Sequence, residues 1–174
     1  MAKLPIITAP DPRLRRKCAP VEAVDEAVRG LMDDMLETMY AAPGIGLAAP
    51  QVGIARRVVV VDISREDEER TPYRMANPEV VEASDTLAEY EEGCLSLPQH
   101  YEEVARPDRA RIRYLDETGA QREIEVEGML ATCMQHEIDH LDGILFVDHI
   151  SKLKRGMILR KLAKAKRAEA MAGA

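Results

Sequence analysis

The chain has 174 residues, a formal net charge of −7 and 46% apolar residues. That length suits one domain with a sizeable core, and the acidic balance argues against a general nucleic-acid binder. Three cysteines (Cys18, Cys94, Cys133) without a Cys-x-x-Cys pair imply no disulfide framework, and no apolar run suits a signal peptide or membrane span, so a soluble cytoplasmic protein is expected.

Residues 1–20 hold four prolines and no clear period, and read as an extended arm laid over the body. From Asp25, the apolar residues Val28, Leu31, Met32, Met35, Leu36 and Met39 recur at three and four, which predicts an amphipathic helix stopped by Pro43-Gly44. Residues 44–53 are too rich in Gly and Pro for a regular element. Residues 58–63 predict a buried strand and residues 65–70 a charged loop, with further β segments near 73–76, 80–84 and 86–90. Residues 109–115 and 122–127 alternate apolar and polar around Asp116-Glu117-Thr118-Gly119, a hairpin pattern. Gly128 opens a helix over about 129–141, and Asp142-Gly143 ends it. A last helix over about 151–168 sets Leu153, Met157, Leu162 and Ala165 on one side. From Ser151 onward there are eight Lys or Arg against a single acid, so this segment is +7 and residues 1–150 are −14. The chain therefore reads as an acidic body (1–150) with a basic C-terminal helix (151–174) appended to the same domain. The class is α+β.

The run His136-Glu137-Ile138-Asp139-His140 falls inside the second predicted helix. Four residues apart on a helix means one face, so both imidazoles can reach one divalent metal. Glu137 can then address a metal-bound water without ligating, which is what a metal-assisted hydrolase requires. A catalytic centre usually takes a third protein ligand. One zinc peptidase pattern puts a His six residues beyond the second; here that residue is Phe146, although Gly143 fits the pattern's glycine. Another uses a downstream Glu, and Glu169 in the basic tail is the only one after His140. Asp142, Asp148 and His149 remain open but have no spacing that recommends them. Upstream, Cys94 follows an alternating strand pattern beside Gly93, and a divalent cation would hold its thiol ionised. Cys18 and Cys133 read as small buried residues, Cys133 lining the floor near the metal.

Gly44, Gly46 and Ala49 match a dinucleotide fingerprint, but the segment follows a helix and precedes a strand, the reverse of what that fold needs. Nucleotide binding is rejected. Such a loop can still bring its backbone close to a substrate, and Gln51 can supply a neutral amide donor.

Three segments together resemble the peptide deformylase family. They are Gly44-Ile45-Gly46-Leu47-Ala48-Ala49-Pro50-Gln51, Glu92-Gly93-Cys94-Leu95-Ser96 and Gln135-His136-Glu137-Ile138-Asp139-His140, in the family's order. The N-terminal arm, Asn77-Pro78, Arg106-Pro107 and the basic helix extend the resemblance over nearly the whole chain. It implies removal of the N-formyl group from the initiator methionine of nascent polypeptides, with release of formate. It also implies Fe²⁺, which Zn²⁺, Ni²⁺ or Co²⁺ can replace, held by Cys94, His136 and His140. Glu137 becomes the acid/base, with the Gln51 amide and the Leu95 N–H as oxyanion donors. The architecture expected is mixed or antiparallel sheets around a central metal-binding helix, with an N-terminal and a C-terminal helix. Gly44, Ile45, Gly46 and Gly93 should border the substrate. Met129, Thr132 and Cys133, with Ile45, could form the methionine slot, ordinary core packing being the other reading of Met129. The basic helix has two readings, a solvated amphipathic helix packed on the body and a dock for ribosomal RNA. A zinc endopeptidase and a ribosome-associated protein with a purely structural metal are the rival functions.

Overall fold

The computed structural model describes residues 2–173. Its helices and strands run α1 (Glu26–Ala41), β1 (Gly46–Ala48), β2 (Val58–Val61), β3 (Tyr73–Ala83), β4 (Leu87–Cys94), β5 (Leu97–Pro107), β6 (Arg109–Leu115), β7 (Gln121–Glu127), α2 (Gly128–Leu141) and α3 (Lys152–Ala172). Five strands form one antiparallel sheet in the order β1-β2-β3-β6-β7, and β4 pairs with β5 as a separate antiparallel ribbon.

The four valines of β2 are all fully buried because this strand has a helix on each face. Val58 and Val60 pack with Met32, Met35 and Met39 of α1, while Val59 and Val61 pack with Met134, Ile138 and Leu141 of α2. Successive side chains of a strand point to opposite faces, so this short valine run joins the two cores. A third core lies under the β4–β5 ribbon, where Leu97 and Val104 meet Leu14, Leu145, Phe146, Ile158 and Leu162.

Local chemistry sets the helix ends. The Asp25 carboxylate accepts from Val28 N at 2.9 Å to start α1, and the Ser151 hydroxyl accepts from Lys154 N to start α3. Gly143, at φ +75°, follows α2 in the left-handed conformation that a side chain resists.

Several expectations need correction. The segments expected at 73–76 and 80–84 form one strand that ends at Ala83: Asn77-Pro78 bends β3 without ending it, and the Asn77 side chain bonds both backbone groups of Val21. Within the loop read as irregular, Gly46–Ala48 pairs with β2 as an edge strand. The whole of β5 escaped the pattern reading because Arg106 points inward to a carboxylate, which breaks the apolar alternation. Of the mixed or antiparallel sheets expected, the antiparallel form is the one present, and the isolated Ala19–Arg56 bridge is parallel. In α3 the buried pair is Ile158 and Leu162, four residues apart, whereas Leu153 (72% exposed) and Met157 (44% exposed) face outward. Of the expected stripe Leu162 is thus buried, while Leu153, Met157 and Ala165 are exposed and Ile158 takes their place against the body. Among the described residues, no helix is long and apolar enough to cross a membrane.

Candidate metal centre and its cleft

Helix α2 lies against the inner face of the sheet, with Met134 and Leu141 fully buried there; each such side chain contributes about 1.5–3 kcal/mol. This packing turns the opposite stripe, His136, Glu137 and His140, toward the β4–β5 ribbon. All three are at most 6% exposed. The ribbon brings the third donor. Its register breaks between Gly93, opposite Tyr101, and Cys94, opposite Leu97. Such an irregularity bends a strand and re-aims a side chain, here Cys94, toward α2.

Cys94 Sγ lies 3.3 Å from His140 Nε2, and the two Nε2 atoms are 3.2 Å apart. One ligand atom from each residue lies within 4.8 Å of the others. Two imidazole nitrogens at ordinary bonding distance from one tetrahedral ion would be about 3.3 Å apart, so the separation suits a single cation. The electrostatics agree. Burial pushes His136 down, but Glu137, Cys94 and Glu92 outweigh it and hold it well above its ordinary value, the mark of an electronegative pocket. Burial and the neighbouring His136 push His140 well down, which leaves its ring neutral. A Cys/His/His set in such a pocket fits a borderline-soft divalent metal.

Behind the ligands runs a chain of buried charges. Glu92 Oε1 meets His136 Nδ1 at 2.8 Å, and Arg106 donates to both Glu92 oxygens, at 2.7 and 3.0 Å. Burial would raise the Glu92 carboxyl, but the hydrogen bonds from His136 and Arg106 outweigh it and keep it ionised. A carboxylate only accepts, so His136 keeps a proton on Nδ1, and Nε2 is the nitrogen that would give up its proton to bind a metal. Arg106 also holds Asp139 at 2.8 Å, and His149 meets the same Asp139 oxygen at 2.8 Å. The roles of Glu92, Arg106 and Asp139 were not read from the sequence. Two of them stood inside the recognised motifs, but no spacing rule pairs a strand arginine with a carboxylate 14 residues away.

The downstream alternatives are engaged elsewhere. Asp142 pairs with Arg57, Asp148 with Arg15 and Arg155, and His149 with Asp139. Phe146, where the peptidase pattern has its third ligand, stacks on the His136 ring at 6.2 Å between centroids and 22° between planes. It is a wall of the site.

A cleft of about 440 Å³ opens over the three donors, lined by Gly44, Ile45, Gly46, Gln51, Gly93, Cys94, Leu95, His136 and Glu137 among others. Two of its glycines are there for close approach. A Cβ on Gly46 would overlap the Glu137 carboxylate, and one on Gly93 would overlap the Tyr101 ring. Burial, the largest influence, pushes Glu137 up to about 7, and its Oε1 has no hydrogen-bond partner in the protein. A carboxylate poised near neutrality with an uncommitted oxygen can take up and return a proton. A smaller slot of about 80 Å³ adjoins, bordered by Ile45, Met129, Thr132, Cys133, His136 and Glu137. Met129 is 50% exposed at its rim, so ordinary core packing does not describe it. Cys133 is buried with its thiol pushed well up by burial, and it donates to the Ile45 carbonyl at 3.7 Å. It is a neutral wall. Every residue expected at the site is thus at the donors, the cleft or the slot.

Comparison with known proteins agrees with this geometry. The sequence model of the polypeptide deformylase family matches residues 3–156. The peptide deformylase of Methylocella silvestris is 58% identical over 169 residues, covering 95% of this chain and 86% of that protein. That of Agrobacterium fabrum is 54% identical, covering 95% and 97%. Among solved structures, peptide deformylase from Ehrlichia chaffeensis in complex with actinonin superposes with a TM-score of 0.91 at 43% identity, covering 96% of this chain and 99% of that one. The Legionella pneumophila peptide deformylase gives 0.87 at 47% identity, covering 97% and 98%.

Proposed function

The chain belongs to the polypeptide deformylase family and is a metal-dependent hydrolase that removes the N-formyl group from nascent polypeptides, and we propose the residue roles by which it does so. Cys94, His136 and His140 hold the metal, which we take to be Fe²⁺, with Zn²⁺, Ni²⁺ or Co²⁺ able to replace it. When bound, the cation supplies Lewis acidity at the formyl carbonyl and lowers the pKa of the attacking water. Glu137 accepts the proton of that water as it attacks the formyl carbon, and then delivers a proton to the departing amine. The Gln51 amide and the Leu95 N–H donate to the oxyanion that develops on the formyl oxygen; one such donor is worth about 3 kcal/mol of barrier. Ile45, Met129, Thr132 and Cys133 take the methionine side chain, and Gly44, Gly46 and Gly93 leave room for the substrate backbone.

The observation that carries these roles is the convergence of one sulfur and two Nε2 atoms beside a buried carboxylate with a free oxygen. A ligand set with one thiolate can hold Fe²⁺ and would expose it to oxidation. The test compares Glu137→Ala with the parent protein on formylated and unformylated Met-Ala-Ser. The parent releases formate and leaves the peptide bonds intact; Glu137→Ala keeps its metal and releases none. Peptide-bond cleavage would favour the endopeptidase, and an unaffected Glu137→Ala would favour a structural metal.

Residues 1–150 form the catalytic body in this reading, and residues 151–174 are a basic appendage that docks on ribosomal RNA in the cytoplasm. The +7 charge of that segment supports it, as does the outward position of Arg160, Lys161, Lys164 and Arg167.

A further inference from the structure

Every polar atom of the Gln51 side chain is engaged. Ala48 N–H donates to Oε1 at 2.9 Å, and because a peptide N–H can only donate, the amide is fixed with Nε2 toward the β4–β5 turn. Nε2 then donates to Ser96 Oγ at 3.1 Å and to Cys94 Sγ at 3.4 Å. Gln51 is 1% exposed and Ser96 fully buried, so neither finds a replacement partner in solvent. The N-terminal arm ties both backbones together: Ile7 N–H donates to the Gln51 carbonyl and Ala9 N–H to the Ser96 carbonyl, each at 2.8 Å. Alternate residues of one extended segment thus bridge the loop that carries Gln51 and the turn that carries Cys94, Leu95 and Ser96.

The two Nε2 bonds are unequal. A hydroxyl oxygen is a good acceptor and a sulfur a weak one. The hydrogen resting on Cys94 is the one that can move to a developing oxyanion, provided the other keeps the amide plane in place. We propose that Ser96 is a positioning residue for deformylation: its hydroxyl, braced by the arm, keeps the Gln51 amide aimed at the reacting carbonyl. This rests on the reading of Gln51 as an oxyanion donor. Without Ser96 Oγ a buried amide hydrogen loses its partner, and the amide can turn to find another.

A double-mutant cycle separates this from a space-filling role. Formate release from formyl-Met-Ala-Ser is measured anaerobically on metal-loaded parent, Ser96→Ala, Gln51→Ala and the double variant, with metal content and melting temperature alongside. Ser96→Ala should lower kcat about tenfold with KM and metal content little changed. In the Gln51→Ala background the same change should cost less than about twofold. Ser96→Thr, which retains a hydroxyl, should keep most of kcat. Equal losses in both backgrounds, or a loss confined to KM, overturn the proposal. If Ser96→Ala does not fold, Ser96→Gly takes its place in the cycle with the same two outcomes. An undiminished kcat in Gln51→Ala overturns the reading of Gln51 and this proposal with it, whereas an inactive parent would count against the proposed residue roles as a whole.

Discussion

Glu92 Oε1 accepts from His136 Nδ1 at 2.8 Å while both its oxygens are held by Arg106, so one buried carboxylate serves an imidazole of the proposed metal site and a guanidinium at once. The arrangement fixes the tautomer of His136 and the plane of its ring, and it raises the basicity of Nε2. Glu92→Gln keeps an acceptor for the imidazole but removes the charge and one of the Arg106 bonds. It should weaken metal binding about 10- to 100-fold, read by competition with a chelator. Glu92→Ala leaves Arg106 and His136 buried without that partner and should cost about 3–5 kcal/mol of stability in denaturant melts. Unchanged affinity in Glu92→Gln would remove the carboxylate from any part in ligand tuning.

Gly46 lies where edge strand β1 passes the carboxylate proposed to transfer the proton, and a methyl there would overlap Glu137. Gly46→Ala should therefore push Glu137 aside. An ångström of displacement at a proton-transfer group costs about 10²-fold in kcat, so formate release should fall by that order while metal content stays. Wild-type turnover in the variant would show that the carboxylate has room to spare.

The helix carrying His136 and His140, the arm, α1 and the 109–127 hairpin are legible in the sequence, each because its signal is local. His136 and His140 are one helical turn apart, and the hairpin alternates around a Gly-containing turn. Cys94 stands out upstream beside Gly93, and its place with the two histidines rests on the family resemblance of its motif. What stayed hidden depends on partners distant in sequence. Arg106 faces inward only because Glu92 and Asp139 wait there, so β5 did not alternate as a half-buried strand should. The arm read as featureless, yet its N–H groups at Ile7 and Ala9 register the two loops of the cleft. On α3 the apolar residues offered two possible stripes, and only the surface beneath chose Ile158 and Leu162.

The β6–β7 turn gives a test with a pH signature. The Asp116 carboxylate accepts from Thr118 N, Thr118 Oγ1, Ala120 N and Arg122 Nε, at 2.6–3.1 Å, and these bonds hold its pKa well below the usual carboxylate range. A depressed folded-state pKa stabilises the fold above the unfolded value, near 4, and that contribution fades as pH falls through the folded value. Asp116→Asn should lower the melting temperature at pH 7. The gap between variant and parent should narrow steadily below about pH 4. A gap that ignores pH would mean that the charge of Asp116 contributes nothing.

The sulfur ligand proposed here would leave the loaded metal chemically exposed. Stripping with a chelator should abolish formate release. Reloading with Fe²⁺ without oxygen should restore it in full, and admitting air should then destroy it as the iron and the Cys94 thiolate oxidise. Zn²⁺ should give a slower form that tolerates air. Anaerobic assays with both metals on one preparation decide the matter: equal turnover would contradict a preference for iron.

The basic helix can be tested without unfolding the body, provided its anchors are respected. Ile158 and Leu162 are buried against Leu14 and Phe146, so cutting the helix away would uncover core. Lys154 pairs with Glu102, and Lys166 donates to the Thr8 carbonyl, so both also help hold the helix down. Arg160, Lys161, Lys164 and Arg167 point outward and appear in no ion pair among the described residues. Replacing these four by Gln keeps helix propensity and removes four positive charges. Formate release from a three-residue formyl peptide should be unchanged. Co-sedimentation with ribosomes should weaken, and the slope of log affinity against log salt should flatten by about three to four if each cation met one phosphate. Ribosome binding with an unaltered salt slope would leave α3 as a packing helix with a solvated outer face.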